Sequence, residues 1–215
     1  MKVILAHDSY SQYGGAERVF EGMQELYPES PIYTIVVDKR LQNHVANWKV
    51  FTNQMQKVYN LYPYLQPLFG LIPFVLKFFK LQPADLLLSS SSAYLKGLRK
   101  TKGMVHINYC HTPTRFIWTD HVYALKEVMP LLRPFAYIYL WWLKKWDYKA
   151  AQTVDHFIAS GKEVQGRIKK YYDRDSEIIH PFINVDYWKP TREKGDYFLI
   201  AGRLTPYKDY DKVIL

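Results

Sequence analysis

The feature that most constrains this chain is a recurring pairing of a short apolar run with a turn and then an amphipathic stretch. Apolar runs fall at Lys2–Ala6, Ile32–Val37, Asp85–Ser89, Val105–Tyr109, His156–Ala159 and Glu177–His180. Most are continuous rather than alternating, the pattern of strands covered on both faces in a parallel sheet. Helical periodicity fits between them at Ala16–Tyr27, around Tyr64–Lys80, at Leu131–Ala151 and at Lys162–Tyr172. Strand and helix in alternation predict a doubly wound α/β sheet. Ser160 and Glu163 stand at capping-box spacing directly after an apolar run, so a helix start is expected there.

The first turn of this pattern holds Gly14 and Gly15 side by side, in a chain with only 10 glycines. Behind them Val19, Met23 and Leu26 recur at helical spacing, with Glu17, Arg18, Glu21 and Glu25 among the polar positions. A strand, a glycine turn and a helix N-terminus leave backbone N–H groups unpaired, with the helix dipole behind them. Such a turn holds a phosphate or another anion. Equally, the glycines serve only to make the turn tight and to let the helix pack close to the sheet.

At 215 residues and 48% hydrophobic, the chain is long enough for one large α/β domain, or for one domain and part of another. A lone cysteine, Cys110, allows no internal disulfide and points to a reducing compartment. The N-terminal apolar run ends too early for a signal peptide, and no stretch approaches the roughly 20 apolar residues of a spanning helix. The chain is therefore read as cytosolic, free or lying on the inner face of the cytoplasmic membrane. Its net charge is +9, with 17% aromatic residues. That combination suits nucleic acid, an anionic membrane surface or phosphorylated small molecules. The basic residues are interleaved with apolar ones at 96–102, 143–149 and 167–174, which argues against a disordered nucleic-acid-binding tail.

Two segments depart from the ordinary pattern. Residues 61–81 are nearly all apolar or aromatic, broken by Pro63, Pro67 and Pro73. Residues 131–151 carry Leu131, Phe135, Ile138, Trp142 and Trp146 on one helical stripe, with Lys144, Lys145 and Lys149 nearby. An aromatic face flanked by lysines suits an interfacial helix on anionic lipid. The same pattern also suits a core helix with packed aromatics, or a dimer face. Near the end, "HPFINVDYWKP" (180–190) reads as a linker. A new strand is expected at Tyr197–Ala201, then Gly202 and Arg203, with Thr205 and Pro206 opening a helix. Stopping on Val-Ile-Leu in mid-helix, the chain reads as truncated. The expected division is a Rossmann-like domain over 1–180, a linker over 181–195, and the start of a second α/β domain over 196–215.

Four pieces stand in order along the chain: "GGAERV" after the first strand, "YCHTPTRFIW" (109–118), "VDHFIASGKEV" (154–164) with the following "IIHPFINVDYW", and "AGRLTPYK" (201–208). With these the sequence resembles the family four retaining glycosyltransferases of GT-B architecture. The resemblance implies two Rossmann-like domains facing each other across a cleft, the first receiving the acceptor and the second binding the nucleotide sugar. This chain then corresponds to the acceptor domain and the beginning of the donor domain. The implied activity is transfer of a hexose, of mannose or glucose type, from a GDP- or UDP-linked sugar to a lipid-linked or polysaccharide acceptor in cell-surface glycan synthesis. The alternative is a stand-alone, non-catalytic domain that binds phosphorylated lipid or glycan; nucleic acid is not an expected partner.

The resemblance also implies roles. Gly15, with Gly14 setting the turn, matches the glycine whose N–H approaches the donor diphosphate or the transferred sugar. His111 matches the histidine that lies over the sugar and reaches a hydroxyl or the reacting centre. Arg203 and Lys208 match the basic pair that clamps the diphosphate leaving group, where fixed positive charge lowers the barrier and Arg supplies bidentate geometry. Tyr13, Arg115, Trp118, Asp120 and Tyr123 are expected on a cleft-facing surface for the acceptor, or else capping the hydrophobic core. Phe135, Trp142, Lys144, Lys145 and Trp146 are the expected membrane contacts. The family's acidic pair, Glu-x7-Glu, would lie downstream of Leu215, so the chain is expected to be inactive alone. Transfer with retention implies a same-face displacement with the acceptor hydroxyl hydrogen-bonded to the departing phosphate. No cofactor and no metal are expected: "DRD" at Asp173–Asp175 spells D-x-D but reads as a solvated turn.

Overall fold

The computed structural model describes residues 1–61, 70–121, 125, 128–183, 185–189, 195–202, 210 and 212. The chain divides into two compact units, Met1–Phe182 and Ile183–Leu215.

The larger unit is built on one seven-stranded sheet. Its strands are β1 (Val3–His7), β2 (Ile32–Thr34), β3 (Val50–Phe51), β4 (Leu86–Ser91), β5 (Val105–Cys110), β6 (His156–Ala159) and β7 (Ser176–Ile178), in the spatial order β3-β2-β1-β4-β5-β6-β7. Every neighbouring pair is parallel. The helices are α1 (Gly15–Leu26), α2 (Met55–Leu61), α3 (Ile72–Val75), α4 (Arg115–Trp118), α5 (Arg133–Gln152) and α6 (Lys162–Tyr172). This is a doubly wound, Rossmann-like α/β fold, and its strand order reverses between β1 and β4.

The continuous apolar runs have a direct cause in this arrangement. All five residues of β1 are buried. Val3 and Leu5 pack with Val19, Phe20 and Met23 of α1 on one face. Ile4 and Ala6 pack with Leu87, Leu95 and Leu143 on the other. A third cluster joins Phe157 and Ala159 of β6 to Ile168 and Tyr172 of α6. Burying a side chain such as Phe20 contributes about 1.5–3 kcal/mol, and its stripe on α1 is what seats that helix behind β1.

Helix α5 divides along its length. Leu143, Asp147, Ala150 and Ala151 near its C-terminal end are buried, while Phe135, Ile138 and Trp141 nearer its start are 70%, 63% and 55% exposed. Trp146 lies against Gly97 so closely that a Cβ there would come within 2.8 Å of the indole ring. Among the described residues no helix is long and apolar enough to cross a membrane.

Several expectations need correction. The helix expected over 64–80 is, in its described part, the single turn of α3 followed by a 3-10 turn at Leu76–Phe78. Proline at the start of α3 fits only a first turn. The two-residue edge strand β3 and helix α2 had no expectation at all. Ser160 does not cap α6: Gly161 is the N-cap without a side-chain bond, and the Ser160 hydroxyl donates to the His111 carbonyl at 3.4 Å. In the smaller unit Tyr197–Ala201 forms no strand. A strand exists only by pairing, and among the described residues that unit has no other strand.

Candidate functional site

In a doubly wound sheet the crevice for a ligand opens at the carboxyl ends of the strands where their order reverses. Here that point lies between β1 and β4. It gathers His7 at the end of β1, Ser90 near the end of β4, His111 directly after β5, and Gly14 and Gly15 at the start of α1. Asp8, next to His7, fixes the neighbouring loop. Its carboxylate accepts from the backbone N–H groups of Ser92 (2.6 Å), Ala93 (2.7 Å), Tyr94 (3.0 Å) and Leu95 (2.8 Å). A carboxylate so fully engaged has a structural task, which is to tie the end of β1 to the loop after β4.

A chain of polar side chains crosses the site. Glu17 Oε1 lies 3.6 Å from His7 Nε2, an ion-pair approach that is long for a hydrogen bond. His7 Nδ1 is 3.1 Å from Ser90 Oγ. Ser90 Oγ is in turn 2.7 Å from His111 Nε2. His7, Glu17 and Ser90 are all buried. The His7 ring stacks on Phe20 at 4.9 Å and meets Tyr10 edge-on at 5.3 Å, which fixes its plane.

The charges follow from these surroundings. Burial works to raise the Glu17 carboxyl, but the His7 ring and the amides of Glu17 and Gly14 outweigh it and leave it below its ordinary value. Glu17 stands three residues after the N-cap Gly14, so it plays the returning half of a capping box. Burial, followed by the His7 ring, pushes His111 down to about 4, so the ring is neutral near pH 7.

The His111 loop is anchored from below. Buried Asp147 of α5 accepts from Thr114 Oγ1 (2.9 Å), Trp118 Nε1 (2.7 Å) and the Tyr172 hydroxyl (2.8 Å). Lys96 Nζ completes the set at 2.6 Å. The Lys96–Asp147 pair is almost wholly buried, with side chains 2% and 1% exposed. A buried pair with every lone pair engaged holds its geometry firmly, and here it pins the segment that carries His111.

Gly14 and Gly15 divide the glycine question. A Cβ on Gly14 would lie 3.3 Å from Glu17 Oε2, so the side chain folding back over it explains that glycine. Gly15 has nothing among the described residues within 4 Å of where its Cβ would stand, and its φ is not positive. Among the described residues, neither a positive φ nor a close neighbour requires glycine at position 15.

The other expected site residues are placed as follows. Tyr13 donates to Glu21 Oε2 at 2.7 Å and stacks on His44 at 4.7 Å, in a surface cluster with Arg18 over its ring. Arg115 and Asp120 pair with each other at 2.6 Å. Trp118 belongs to the packing of α4 on α5: besides the bond to Asp147, its ring stacks on Tyr171 at 5.0 Å and carries Lys144 Nζ at 4.6 Å. Trp142 and Trp146, expected to face lipid, turn inward. Trp142 stacks on Phe74 and Tyr139, and Trp146 meets Tyr94 and Gly97, because the apolar stripe nearest the sheet is the one that gets buried. Phe135, Lys144 and Lys145 remain exposed, Lys145 over the ring of Trp141 at 3.5 Å. Asp173 and Asp175 both face Lys169, at 3.3 and 3.2 Å. Tyr123, Arg203 and Lys208 lie outside the described residues.

Reasoning from sequence missed His7, Glu17 and Ser90. Two signals could have found them. Glu17 has capping-box spacing from Gly14, and His7 and Ser90 lie at the carboxyl ends of β1 and β4, where ligands bind in this topology.

No family model matches the sequence, and no curated protein matches it either. Among solved structures it is similar to the crystal structure of Anabaena Alr3699/HepE in complex with UDP, at 13% identity and a TM-score of 0.49. The match covers 89% of this chain and 47% of that one, so the chain spans about half the length of the solved structure it resembles.

Proposed function

We propose that this chain is the acceptor-binding part of a retaining glycosyltransferase that moves a hexose from a GDP- or UDP-linked sugar to a lipid-linked or polysaccharide acceptor. The observation that carries the reading is Gly15. It opens α1 beside the crevice, with a glycine that neither backbone nor packing requires. A bare amide at a helix N-terminus suits close approach by a diphosphate. The ordered motifs of the sequence support the same reading, as does the convergence of His111 on that crevice. In this scheme Gly14 and Gly15 meet the donor, His111 holds a hydroxyl of the sugar at the reacting centre, and Arg203 with Lys208 clamps the leaving diphosphate. Arg115 and Asp120 form an acceptor-facing pair. Exposed Phe135 and Trp141, with Lys144 and Lys145, favour contact with an anionic membrane surface.

The test begins with the intact mass of the native polypeptide against the 25.6 kDa of this chain. The complete native protein is then assayed for nucleoside diphosphate released from GDP- and UDP-sugars, with and without a lipid-linked acceptor. The reading expects release that His111→Ala, Arg203→Ala and Lys208→Ala each abolish. Release unaffected by these variants, or none from any donor, overturns it.

A further inference from the structure

The two histidines of the crevice compete for one serine hydroxyl. Ser90 Oγ lies 3.1 Å from His7 Nδ1 and 2.7 Å from His111 Nε2, yet it carries one proton. It can therefore donate to only one of the two rings, while its lone pairs accept from a ring N–H. Glu17 decides which. At 3.6 Å the Glu17 carboxylate is too far for a hydrogen bond, but its negative charge favours the His7 proton on the nitrogen facing it, Nε2. When His7 is neutral its Nδ1 is then a lone pair, and it accepts the Ser90 proton. Ser90 Oγ in turn accepts from His111 Nε2–H, which leaves His111 Nδ1 as an acceptor.

We propose that Glu17, His7 and Ser90 are positioning residues that set the tautomer of His111, and that protonation of His7 inverts it. With His7 doubly protonated, Nδ1–H donates to Ser90, the Ser90 hydroxyl donates to His111 Nε2, and the remaining His111 proton moves to Nδ1. One proton gained at His7 thus turns the far nitrogen of His111 from acceptor into donor. An N–H bond forms at His7 Nδ1 with a proton from solvent, and on His111 the Nε2–H bond is lost to solvent as an Nδ1–H bond forms, so the net change is the one proton gained at His7. The groups facing His7 are Glu17 and Phe20 of α1, Tyr10 of the following loop, Ser90 of β4 and the neutral His111 ring. Asp8 also faces His111, but its carboxylate is saturated by backbone amides. Burial, followed by the His7 ring, keeps His111 itself neutral above about pH 5.

The consequence for a substrate rests on the transferase reading above: a hydroxyl of the sugar donates to His111 Nδ1 while His7 is neutral and loses that acceptor when His7 is charged. The tautomer itself is read from this chain without substrate, so failure of the relay and failure of the transferase reading are separate results. The experiment is a long-range proton–nitrogen correlation spectrum of the 215-residue chain with 15N-labelled histidine, its seven rings assigned with His7→Asn and His111→Asn. Near neutral pH, His111 should show a protonated-type Nε2 and an unprotonated-type Nδ1. As His7 titrates, the two His111 nitrogens should exchange character while the ring stays neutral. In Ser90→Ala the His111 pattern should no longer follow His7. A proton on Nδ1 at neutral pH, a His111 pattern indifferent to His7, or coupling that survives Ser90→Ala overturns the relay. The wild-type titration alone decides the matter if Ser90→Ala does not fold.

Discussion

Replacing Gly15 with alanine separates a glycine kept for folding from a glycine kept for a ligand. The methyl group would stand in open space at the first position of α1, with no described atom within 4 Å. Where the backbone suits alanine, the exchange stabilises by about 0.4–1 kcal/mol, because the unfolded chain loses freedom. For a chain of this size that corresponds to a rise of roughly 1–4 °C in Tm. The same methyl would keep a phosphate oxygen from reaching the amide. A hydrogen bond to a charged group contributes about 1.5–3 kcal/mol, so donor affinity should fall roughly 10- to 150-fold. Thermal melts followed by circular dichroism give the first quantity, and nucleotide-sugar titration or kcat/KM of the complete polypeptide gives the second. A stabilised protein with a weakened donor site is the expected result. A fall in Tm would show that Gly15 is a packing requirement after all. A stabilised protein with unchanged donor handling would remove the argument that a ligand approaches there.

Three other perturbations test the frame around the site. Lys96→Met leaves the buried Asp147 carboxylate without its cation and should cost about 3–5 kcal/mol; urea unfolding showing less than about 1 kcal/mol would contradict the assigned pairing. Burial holds His106 down to about 3 against an ordinary 6.5, so the unfolded chain binds its proton first as pH falls. Its share of the stability is therefore complete above about pH 6.5 and is lost on acidification through that window, roughly 2 kcal/mol by pH 5. Unfolding midpoints at pH 7.5 and 5 should show the loss, His106→Gln should reduce it, and an unchanged midpoint would sink the assignment. Finally, Phe135→Ser with Trp141→Ser should lower co-sedimentation with anionic vesicles, and a double variant that sediments as well as the parent protein would remove the membrane assignment for α5.

The sheet was legible because strands buried on two faces must be apolar throughout, which a short run such as Val3–Ala6 displays openly. The edge strand β3 was not, because two residues carry no period. Helix α5 shows a different limit. Periodicity finds the residues that share a stripe, but this helix has aromatic residues on more than one stripe, and only the sheet decides that Trp142 and Trp146 turn inward while Trp141 faces out. At the site, Gly14, Gly15 and His111 could be found from local sequence. Only its spacing from Gly14 sets Glu17 apart from Glu21 and Glu25 in the sequence, since its burial at 4% exposure comes from a histidine ten residues earlier and from the turn it folds over. Ser90 looked like one of a run of serines, and its importance lies in what β1 and the β5 loop bring to it.

His7 and Ser90 are 83 residues apart in sequence and meet only because β1 pairs with β4 across the reversal of strand order. Asp8 reaches over a similar span to the amides of Ser92–Leu95. Contacts of such separation close late, since the entropy of the intervening loop must be overcome before they contribute. A nascent chain that has emerged only through β3 contains His7 and Glu17 but neither Ser90 nor His111. The crevice therefore comes into being together with the centre of the sheet, so a folding intermediate that lacks the β1–β4 pairing also lacks the site.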